Sequence, residues 1–220
     1  MTCLLVVAKA PVAGLAKTRL TPPATPVEAA EIAAASLLDT LDAVFATRGV
    51  VPVVALTGDL SAARRSAELA GALARCTVFA QRGEGFAERL ATAHADVAER
   101  FPGRPVFQIG MDTPQVDPEL LGSAAAALES GAEGLLGRAF DGGWWGLGLR
   151  DPLLAGVLRS VPMSRADTAD RTAAALAGVG VRVRELPVLS DVDTMDDALR
   201  VAAEYPSGRF APAVEGLAVR

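Results

Sequence analysis

The strongest constraint on the fold is an alternation of two kinds of segment along the chain. Short runs rich in Val and Leu are followed by longer, alanine-rich runs whose apolar residues recur at helical spacing. The first kind predicts strands at residues 3–8, 51–56, 76–80, 105–110, 134–139, 144–149 and 181–186. The second kind predicts helices at residues 27–46, 61–74, 85–100, 118–130, 166–177 and 195–203. Apolar strands that alternate with helices are typical of a parallel sheet covered on both faces, so we expect a doubly wound α/β domain.

The alternation breaks once, in the second half of the chain. Only residues 140–143 separate two predicted strands, and this connection is too short for a crossover helix. We expect these two strands to pair in antiparallel fashion, which makes the sheet mixed but mostly parallel. Residues 1–204 are expected to form a single domain. Residues 205–220 contain two prolines and two glycines, and we expect an irregular C-terminal tail there.

The composition excludes several classes of protein. Of the 220 residues, 51% are hydrophobic and the net charge is −5, which favours a sizeable core and argues against a nucleic-acid partner. The chain has no apolar run of about 18 residues, so we expect no membrane span. The apolar start of the chain lacks a basic lead-in and predicts a first strand, not a signal peptide. Cys3 and Cys76 both lie in apolar runs, and we expect buried thiols in a reducing cytoplasm.

The segment after the first predicted strand combines glycine with positive charge. Lys9, Gly14, Lys17 and Arg19 lie within eleven residues, and Lys9 and Lys17 are the only lysines of the chain. Gly14 permits a tight, exposed backbone, and the cations attract an anion, so this segment suits a polyphosphate. The alternative is a solvated basic loop. The spacing matches neither a Walker A loop nor the dinucleotide-binding glycine fingerprint.

Aspartates follow two other predicted strands. Asp112 comes directly after the fourth strand, at the sheet edge where ligands of open α/β sheets bind, and could meet a magnesium–phosphate complex there. Asp191 and Asp193 follow the last strand, and their alternation allows one to face the site while the other braces the loop. The alternatives are a turn at Asp112 and capping of the last helix by Asp193 or Thr194.

A glycine-rich turn precedes two adjacent tryptophans. Asp141, Gly142 and Gly143 lead into Trp144 and Trp145, whose indoles must point to opposite faces of a strand. We expect one indole in the core and the other in a substrate pocket. Asp141 either binds an acceptor hydroxyl or caps the turn.

Two further features concern nucleotide contact and acid–base chemistry. Gln81 and Gly83 lie in a loop before a predicted helix and could contact a nucleotide. The only histidine, His94, lies within that helix, and we expect it to be partly buried or on the surface, not a general base. The G-x-S-x-G elbow of serine hydrolases is absent.

Taken together, these segments resemble a bacterial family of GT-A-fold transferases that includes radical-SAM- and selenodomain-associated transferases. The matching stretches, in the family's order, are AKAPVAGLAKTRL at 8–20, QRGEGFAERL at 81–90, IGMDTP at 109–114, DGGWWGLGL at 141–149 and DVDTMDD at 191–197. The likeness extends to 2-phospho-L-lactate and molybdenum-cofactor guanylyltransferases. The chain departs from the family where Trp144 and Trp145 replace its usual tyrosine pair, and where Phe86 and Ala87 replace a glycine–leucine.

The resemblance implies a three-layer GT-A fold and a transferase that uses a nucleotide with Mg²⁺ or Mn²⁺. The implied metal ligands are Asp112 and Asp193, and the implied catalytic residues are Lys17, Arg19, Asp112 and Asp141. The nucleotide would be bound by Lys9, Gly14, Lys17, Arg19, Gln81 and Gly83. The acceptor would be bound by Asp141, Gly142, Gly143, Trp144 and Trp145.

Three activities are compatible with this resemblance. The first is transfer of a nucleotidyl group from a nucleoside triphosphate to a small, phosphorylated acceptor, which the three cations of the first loop favour. The second is glycosyl transfer from a nucleotide-diphospho-sugar. The third is a non-catalytic nucleotide-binding regulatory protein. The partners are then a nucleotide and a small-molecule acceptor, and the sequence is compatible with a homodimer.

Overall fold

The architecture is known from a computed structural model that describes residues 1–218. Its centre is a seven-stranded sheet in the order β3-β2-β1-β4-β6-β5-β7. The strands are β1 (Thr2–Lys9), β2 (Val50–Thr57), β3 (Thr77–Ala80), β4 (Val106–Gly110), β5 (Gly134–Ala139), β6 (Trp144–Leu149) and β7 (Val183–Leu189). Neighbouring strands are parallel except where β6 pairs with β4 and β5. The predicted mixed, mostly parallel sheet is therefore confirmed.

Helices cover both faces of the sheet and complete a three-layer α/β fold. They are α1 (Pro26–Ala46), α2 (Ser66–Leu73), α3 (Phe86–Arg100), α4 (Pro118–Glu129), α5 (Thr168–Gly178), α6 (Met195–Glu204) and α7 (Phe210–Ala218). Short 3-10 helices lie at Thr18–Leu20, Leu60–Ala62 and Pro152–Ser160. One face packs against α1, α2 and α4, and the other packs against α3, α5 and Pro152–Ser160.

The central strand β1 shows why both faces need this cover. Leu4 and Val6 belong to the apolar cluster on one face, and Cys3 and Leu5 belong to the cluster on the other. All four side chains are completely buried. A continuous apolar strand of this kind is stable only between two helical layers. The Cys3 and Cys76 thiols are free, and Cys3 is buried while Cys76 is half-buried.

Two predicted segments differ from the structure. Within the predicted helix at 61–74, the chain passes through Arg65 with a left-handed φ of 50°, so α2 begins only at Ser66. The expectation of an irregular tail is wrong for Phe210–Ala218, which forms α7, while residues 219–220 lie outside the described part of the chain. Asp39 of α1 caps this helix by accepting hydrogen bonds from the backbone amides of Arg209 and Phe210, each at 2.8 Å.

The topology brings distant parts of the chain to one edge of the sheet. The carboxyl ends of β1, β4 and β7 point the same way, and the antiparallel strand β6 begins at that edge. The winding direction reverses between β1 and β4, which is where open α/β sheets form a crevice. Among residues 1–218, every helix is too short or too polar to cross a lipid bilayer.

Candidate active site

A cavity of about 540 Å³ opens at this carboxyl edge of the sheet. Most of the predicted site residues line it, namely Lys9, Lys17, Arg19, Gln81, Asp112, Asp141, Gly143, Trp144, Trp145 and Asp193. Gly14, Gly83 and Gly142 are not among its lining residues. The three segments that the sequence analysis placed at strand ends therefore meet in one cavity.

Lys17 lies between two carboxylates from distant parts of the chain. Its Nζ is 2.8 Å from Asp112 Oδ2 and 3.2 Å from Asp193 Oδ1. Arg19 Nη1 donates a hydrogen bond to the other oxygen of Asp193 at 3.2 Å. Lys17 has a left-handed φ of 48° and precedes the 3-10 helix Thr18–Leu20. The basic loop is thus held against the acidic end of the cavity.

The ammonium group of Lys17 is charged in this environment. Burial alone would lower its pKa, but the negative charges of Asp112 and Asp193 outweigh burial. The pKa of Lys17 is therefore raised above its ordinary value. Lys17 thus places a positive charge beside the carboxylates of Asp112 and Asp193. A phosphate group could bind to this charge, and a metal ion could bind to the carboxylates.

Four aspartates crowd the same end of the cavity. One carboxylate oxygen each from Asp141, Asp191 and Asp193 lies within 4.8 Å of the others, an arrangement that could hold a cation. Burial, and after it the charges of the neighbouring aspartates, raise the pKa of Asp191 to about 7. This excess of negative charge and the all-oxygen donor set fit a hard divalent ion such as Mg²⁺ or Mn²⁺.

The predicted metal ligands and this cluster have Asp193 in common. The sequence analysis expected Asp112 and Asp193 as ligands and left open which of Asp191 and Asp193 faces the site. In the structure both Asp191 and Asp193 line the cavity, and Asp141 joins them. Asp112 lines the cavity as well, and its carboxylate is paired with Lys17, as that of Asp193 is.

Backbone contacts fix these aspartates relative to the sheet. The amide of Val192 donates to the Asp112 carbonyl at 2.9 Å, which ties the loop after β7 to the loop after β4. The Ser36 hydroxyl of α1 donates to the Met111 carbonyl at 2.8 Å. Thr194 forms a capping box with Asp197 at the start of α6, so the helix cap is Thr194 and the Asp193 carboxylate remains directed to the cavity.

The glycine-rich turn positions Asp141 in the cavity wall. Asp141 Oδ1 accepts a hydrogen bond from the amide of Gly143 at 2.7 Å. Gly142 has a φ of +87°, and a Cβ at this position would collide with the carbonyl of Ala166. Only glycine allows this close approach of the turn to the segment before α5.

The two tryptophans divide as the strand geometry requires. Trp145 is buried, donates from Nε1 to the Pro187 carbonyl at 2.9 Å and meets Phe107 edge-on. Trp144 is half-buried, lines the cavity and donates from Nε1 to the Thr172 hydroxyl at 3.2 Å. Trp145 is thus a core residue that also reaches the cavity wall, and Trp144 presents its ring to the cavity.

Gln81 marks another part of the cavity. Its Nε2 donates to the carbonyls of Ala8 and Ala55 at 2.8 and 2.9 Å, which fixes the orientation of the amide. Phe86 and Arg89, which follow Gln81 in the chain and belong to α3, also line the cavity. Arg89 Nε donates to the Gly83 carbonyl at 3.2 Å. Gly83 therefore supports the wall through its backbone.

One part of the wall was not predicted from the sequence, and the prediction for the histidine is wrong. Met163, Ser164 and Arg165 line the cavity, and no glycine pattern or charge run pointed to them. His94 is completely buried, not partly buried or on the surface, and its Nε2 lies 3.0 Å from Gln108 Oε1. Burial lowers the pKa of His94 to about 4. The side chain is therefore neutral and fills the layer between α3 and β4.

Sequence comparison relates the chain to one family. A family model described as "Uncharacterized protein conserved in bacteria (DUF2064)" matches residues 40–165, which is more than half of the chain. None of the curated protein sequences matches the chain.

Comparison with solved structures shows the fold. A "putative nucleotide-diphospho-sugar transferase" from Desulfovibrio desulfuricans G20 has a TM-score of 0.85 and 23% identity, over 100% of this chain and 96% of that one. Rv0371c from Mycobacterium tuberculosis H37Rv, in a complex with manganese, has a TM-score of 0.54 and 22% identity, over 93% and 100%. A CMP:2-keto-3-deoxy-manno-octonic acid synthetase complexed with CTP has a TM-score of 0.57 and 12% identity, over 92% and 97%. The fold is that of nucleotide-diphospho-sugar transferases, as the resemblance implied.

Proposed function

The chain belongs to the DUF2064 family of bacterial proteins, and we propose that it is a nucleotidyltransferase, which moves a nucleotidyl group from a nucleoside triphosphate to a small acceptor. One observation carries the proposal. Lys17 and Arg19 from the amino-terminal loop meet Asp112 and Asp193 in a single cavity. Cations beside carboxylates at the carboxyl edge of an α/β sheet suit a metal-bound polyphosphate.

The basic loop would bind the phosphate chain. Lys17 and Arg19 would donate charge-assisted hydrogen bonds to the β- and γ-phosphates, and their pairing with aspartates keeps them in place before the nucleotide arrives. Asp193, together with Asp112, Asp141 or Asp191, would hold Mg²⁺ or Mn²⁺. The bound ion would neutralise negative charge on the phosphates. The known complexes of two structural neighbours, with manganese and with CTP, agree with these ligand types.

The reaction itself requires little covalent work from the protein. An acceptor oxygen attacks the α-phosphorus in line, a new P–O bond forms, and the bond to the β-phosphate breaks as pyrophosphate leaves. A phosphate acceptor needs no general base. An alcohol acceptor must lose its proton, and Asp141 in the cavity wall would accept it. Positioning and charge neutralisation would account for most of the rate.

Glycosyl transfer from a nucleotide-diphospho-sugar is the second candidate. The TM-score of 0.85 with the Desulfovibrio protein favours it. The cations of the first loop favour nucleotidyl transfer, because a triphosphate places more negative charge there than the diphosphate of a nucleotide sugar.

The test measures pyrophosphate release from each of the four nucleoside triphosphates with Mg²⁺ and a panel of phosphorylated hydroxy acids. We expect release with one triphosphate, and loss of release in Asp112→Asn with the fold intact. Asp196→Asn is the matched control, because Asp196 is exposed and lies outside the cavity. Absence of pyrophosphate with all triphosphates, together with tight binding of a nucleotide sugar, would favour glycosyl transfer. Nucleotide binding without turnover of either substrate would indicate a regulatory protein.

A further inference from the structure

A further basic residue in the cavity wall comes from the connection before α5. Residues 163–166 line the cavity together with Asp141 and Trp144, and Arg165 is the only basic residue that the described chain contributes to the lining after residue 112. The other ionisable lining residues from that half of the chain are Asp141, Asp191 and Asp193. Among the ionisable lining residues from that half of the chain, only Arg165 would attract an anionic group on the acceptor, and the three aspartates would repel it.

The backbone of this connection is held in place by hydrogen bonds at both of its ends. The Thr168 hydroxyl accepts from the amide of Arg165 at 3.0 Å and donates to the Pro162 carbonyl at 3.1 Å. The amide of Ala169 donates to the Gly142 carbonyl at 2.9 Å, which joins the connection to the turn that carries Asp141. The wall segment is therefore preorganised relative to Asp141.

Backbone strain distinguishes the same segment. Ser164 has a left-handed φ of 58°, and only Lys17 and Arg65 share this feature among the non-glycine residues of the described chain. Two of these three residues, Ser164 and Lys17, line the cavity. A strained backbone persists where the surrounding contacts enforce it, and such positions concentrate at ligand sites.

The guanidinium of Arg165 is available to a ligand. Its side chain is 59% exposed, and its Nε donates to Asp167 Oδ1 at 3.2 Å. Within residues 1–218 its two terminal nitrogens make no hydrogen bond. A planar pair of N–H donors matches a phosphate or a carboxylate, and the bond to Asp167 fixes the plane.

Two largely apolar side chains, Met163 and Trp144, belong to this part of the lining. Met163 is half-buried, and Trp144 presents its ring while its Nε1 is already bound to Thr172. These two side chains offer contact to an apolar or flat part of a ligand but no free side-chain donor.

We propose that Arg165 is the specificity-determining residue for an acceptor that carries a phosphate or carboxylate next to an apolar portion, with Met163 and Trp144 contacting that portion. This proposal rests on the proposed nucleotide-transferring function, because it places the acceptor beside Asp141 in the same cavity. The acceptor's anion is bound by Arg165, and its reacting oxygen faces Asp141.

The test uses three small probes that differ in charge, namely phenyl phosphate, benzoate and benzyl alcohol. Each is titrated by NMR into the protein with Mg²⁺ and a hydrolysis-resistant α,β-methylene triphosphate, so that the phosphate-binding loop is already filled. The triphosphate is the one that raises the Tm of the wild type most. We expect an anionic probe to bind at least about tenfold tighter than benzyl alcohol, and Arg165→Gln to remove this preference. A stronger preference for phenyl phosphate or for benzoate identifies the anion.

Arg159→Gln is the matched control, because Arg159 is an exposed cation of the neighbouring 3-10 helix that does not line the cavity. It should bind all three probes as the wild type does. If the triphosphate analogue stabilises the wild type and Arg165→Gln equally, but the variant keeps its preference for anions, the role of Arg165 is overturned and the proposed function stands. If no triphosphate stabilises the wild type, the proposed function fails and the acceptor site fails with it.

Discussion

At the scale of single residues, Lys17 has the most informative surroundings. Its ammonium lies between Asp112 and Asp193, so it neutralises the carboxylates that would also bind a divalent ion. We expect Lys17→Met to bind Mn²⁺ more tightly than the wild type by about 1 kcal/mol, and to bind nucleotide more weakly by about 1.5–3 kcal/mol. Electron paramagnetic resonance titration of Mn²⁺ measures the first change and calorimetry the second. Arg48→Gln removes an exposed charge elsewhere and should change neither the Mn²⁺ affinity nor the nucleotide affinity. If Lys17→Met bound Mn²⁺ as the wild type does, Lys17 would not compete with the metal ion for the carboxylates.

The buried His94 predicts a pH dependence of stability. Burial lowers the pKa of His94 to about 4, while an unfolded histidine titrates near 6.5. Between these values the unfolded chain binds the proton and the folded chain does not, so the free energy of unfolding falls as the pH is lowered. From pH 7 to 4.5 we expect this group to cost the wild type about 2 kcal/mol.

Urea unfolding of the wild type and His94→Gln at both pH values isolates this effect, because titrating carboxylates are common to the two proteins. When the pH is lowered from 7 to 4.5, the free energy of unfolding of the wild type should fall by about 2 kcal/mol more than that of the variant. A difference that does not depend on pH would show that folding leaves the pKa of His94 unchanged.

At the scale of elements, α7 depends on a side chain from another helix. The Asp39 carboxylate of α1 accepts from the amides of Arg209 and Phe210 and pairs with the Arg209 guanidinium at 3.1 Å. We expect Asp39→Ala to lower the free energy of unfolding by about 2 kcal/mol, because it removes a helix cap and leaves Arg209 without its more buried partner. Asp42→Ala removes one of the two exposed partners of Arg209, Asp42 and Glu68, and should cost less than about 1 kcal/mol. Equal effects of the two substitutions in urea unfolding would contradict the capping role.

This helix also shows where prediction from the sequence ends. Apolar runs and helical periodicity predicted all seven strands and the helices up to α6, because both signals are local. The helix α7 contains a proline and a glycine and is capped by a residue about 170 positions earlier, so nothing local indicated it. The break at Arg65 likewise depends on a backbone angle that its neighbours do not encode.

The candidate site divides in the same way. Residues in the loops that follow apolar strands, such as Asp112 and Asp193, could be assigned to the carboxyl edge because strand polarity places them there. The pairing of Lys17 with both carboxylates could not be predicted, since it depends on a tertiary approach of two loops. Met163 to Arg165 follow a 3-10 helix and precede α5, a position that carries no recurring motif. Their place in the wall follows from contacts with the Gly142 turn.

At the scale of the whole molecule, the cavity joins segments from both ends of the chain, so a ligand bound there stabilises the complete fold. A ligand that binds only the folded state and is present at 100 times its Kd raises the free energy of unfolding by about 2.7 kcal/mol. For a chain of this size we expect the matching nucleoside triphosphate with Mg²⁺ to raise the Tm by about 5–10 °C. Asp112→Asn should lose most of this rise, and Asp196→Asn should keep it. A rise that is equal in both variants would place the nucleotide elsewhere.

The most direct measurement is a crystal structure with Mn²⁺ and the stabilising nucleoside triphosphate, with the metal located by its anomalous scattering. We expect one strong peak within coordination distance of Asp193 and of at least one further aspartate of the cavity, with Lys17 against the phosphates. A manganese peak and a triphosphate bound away from Lys17, Asp112 and Asp193 would contradict this expectation.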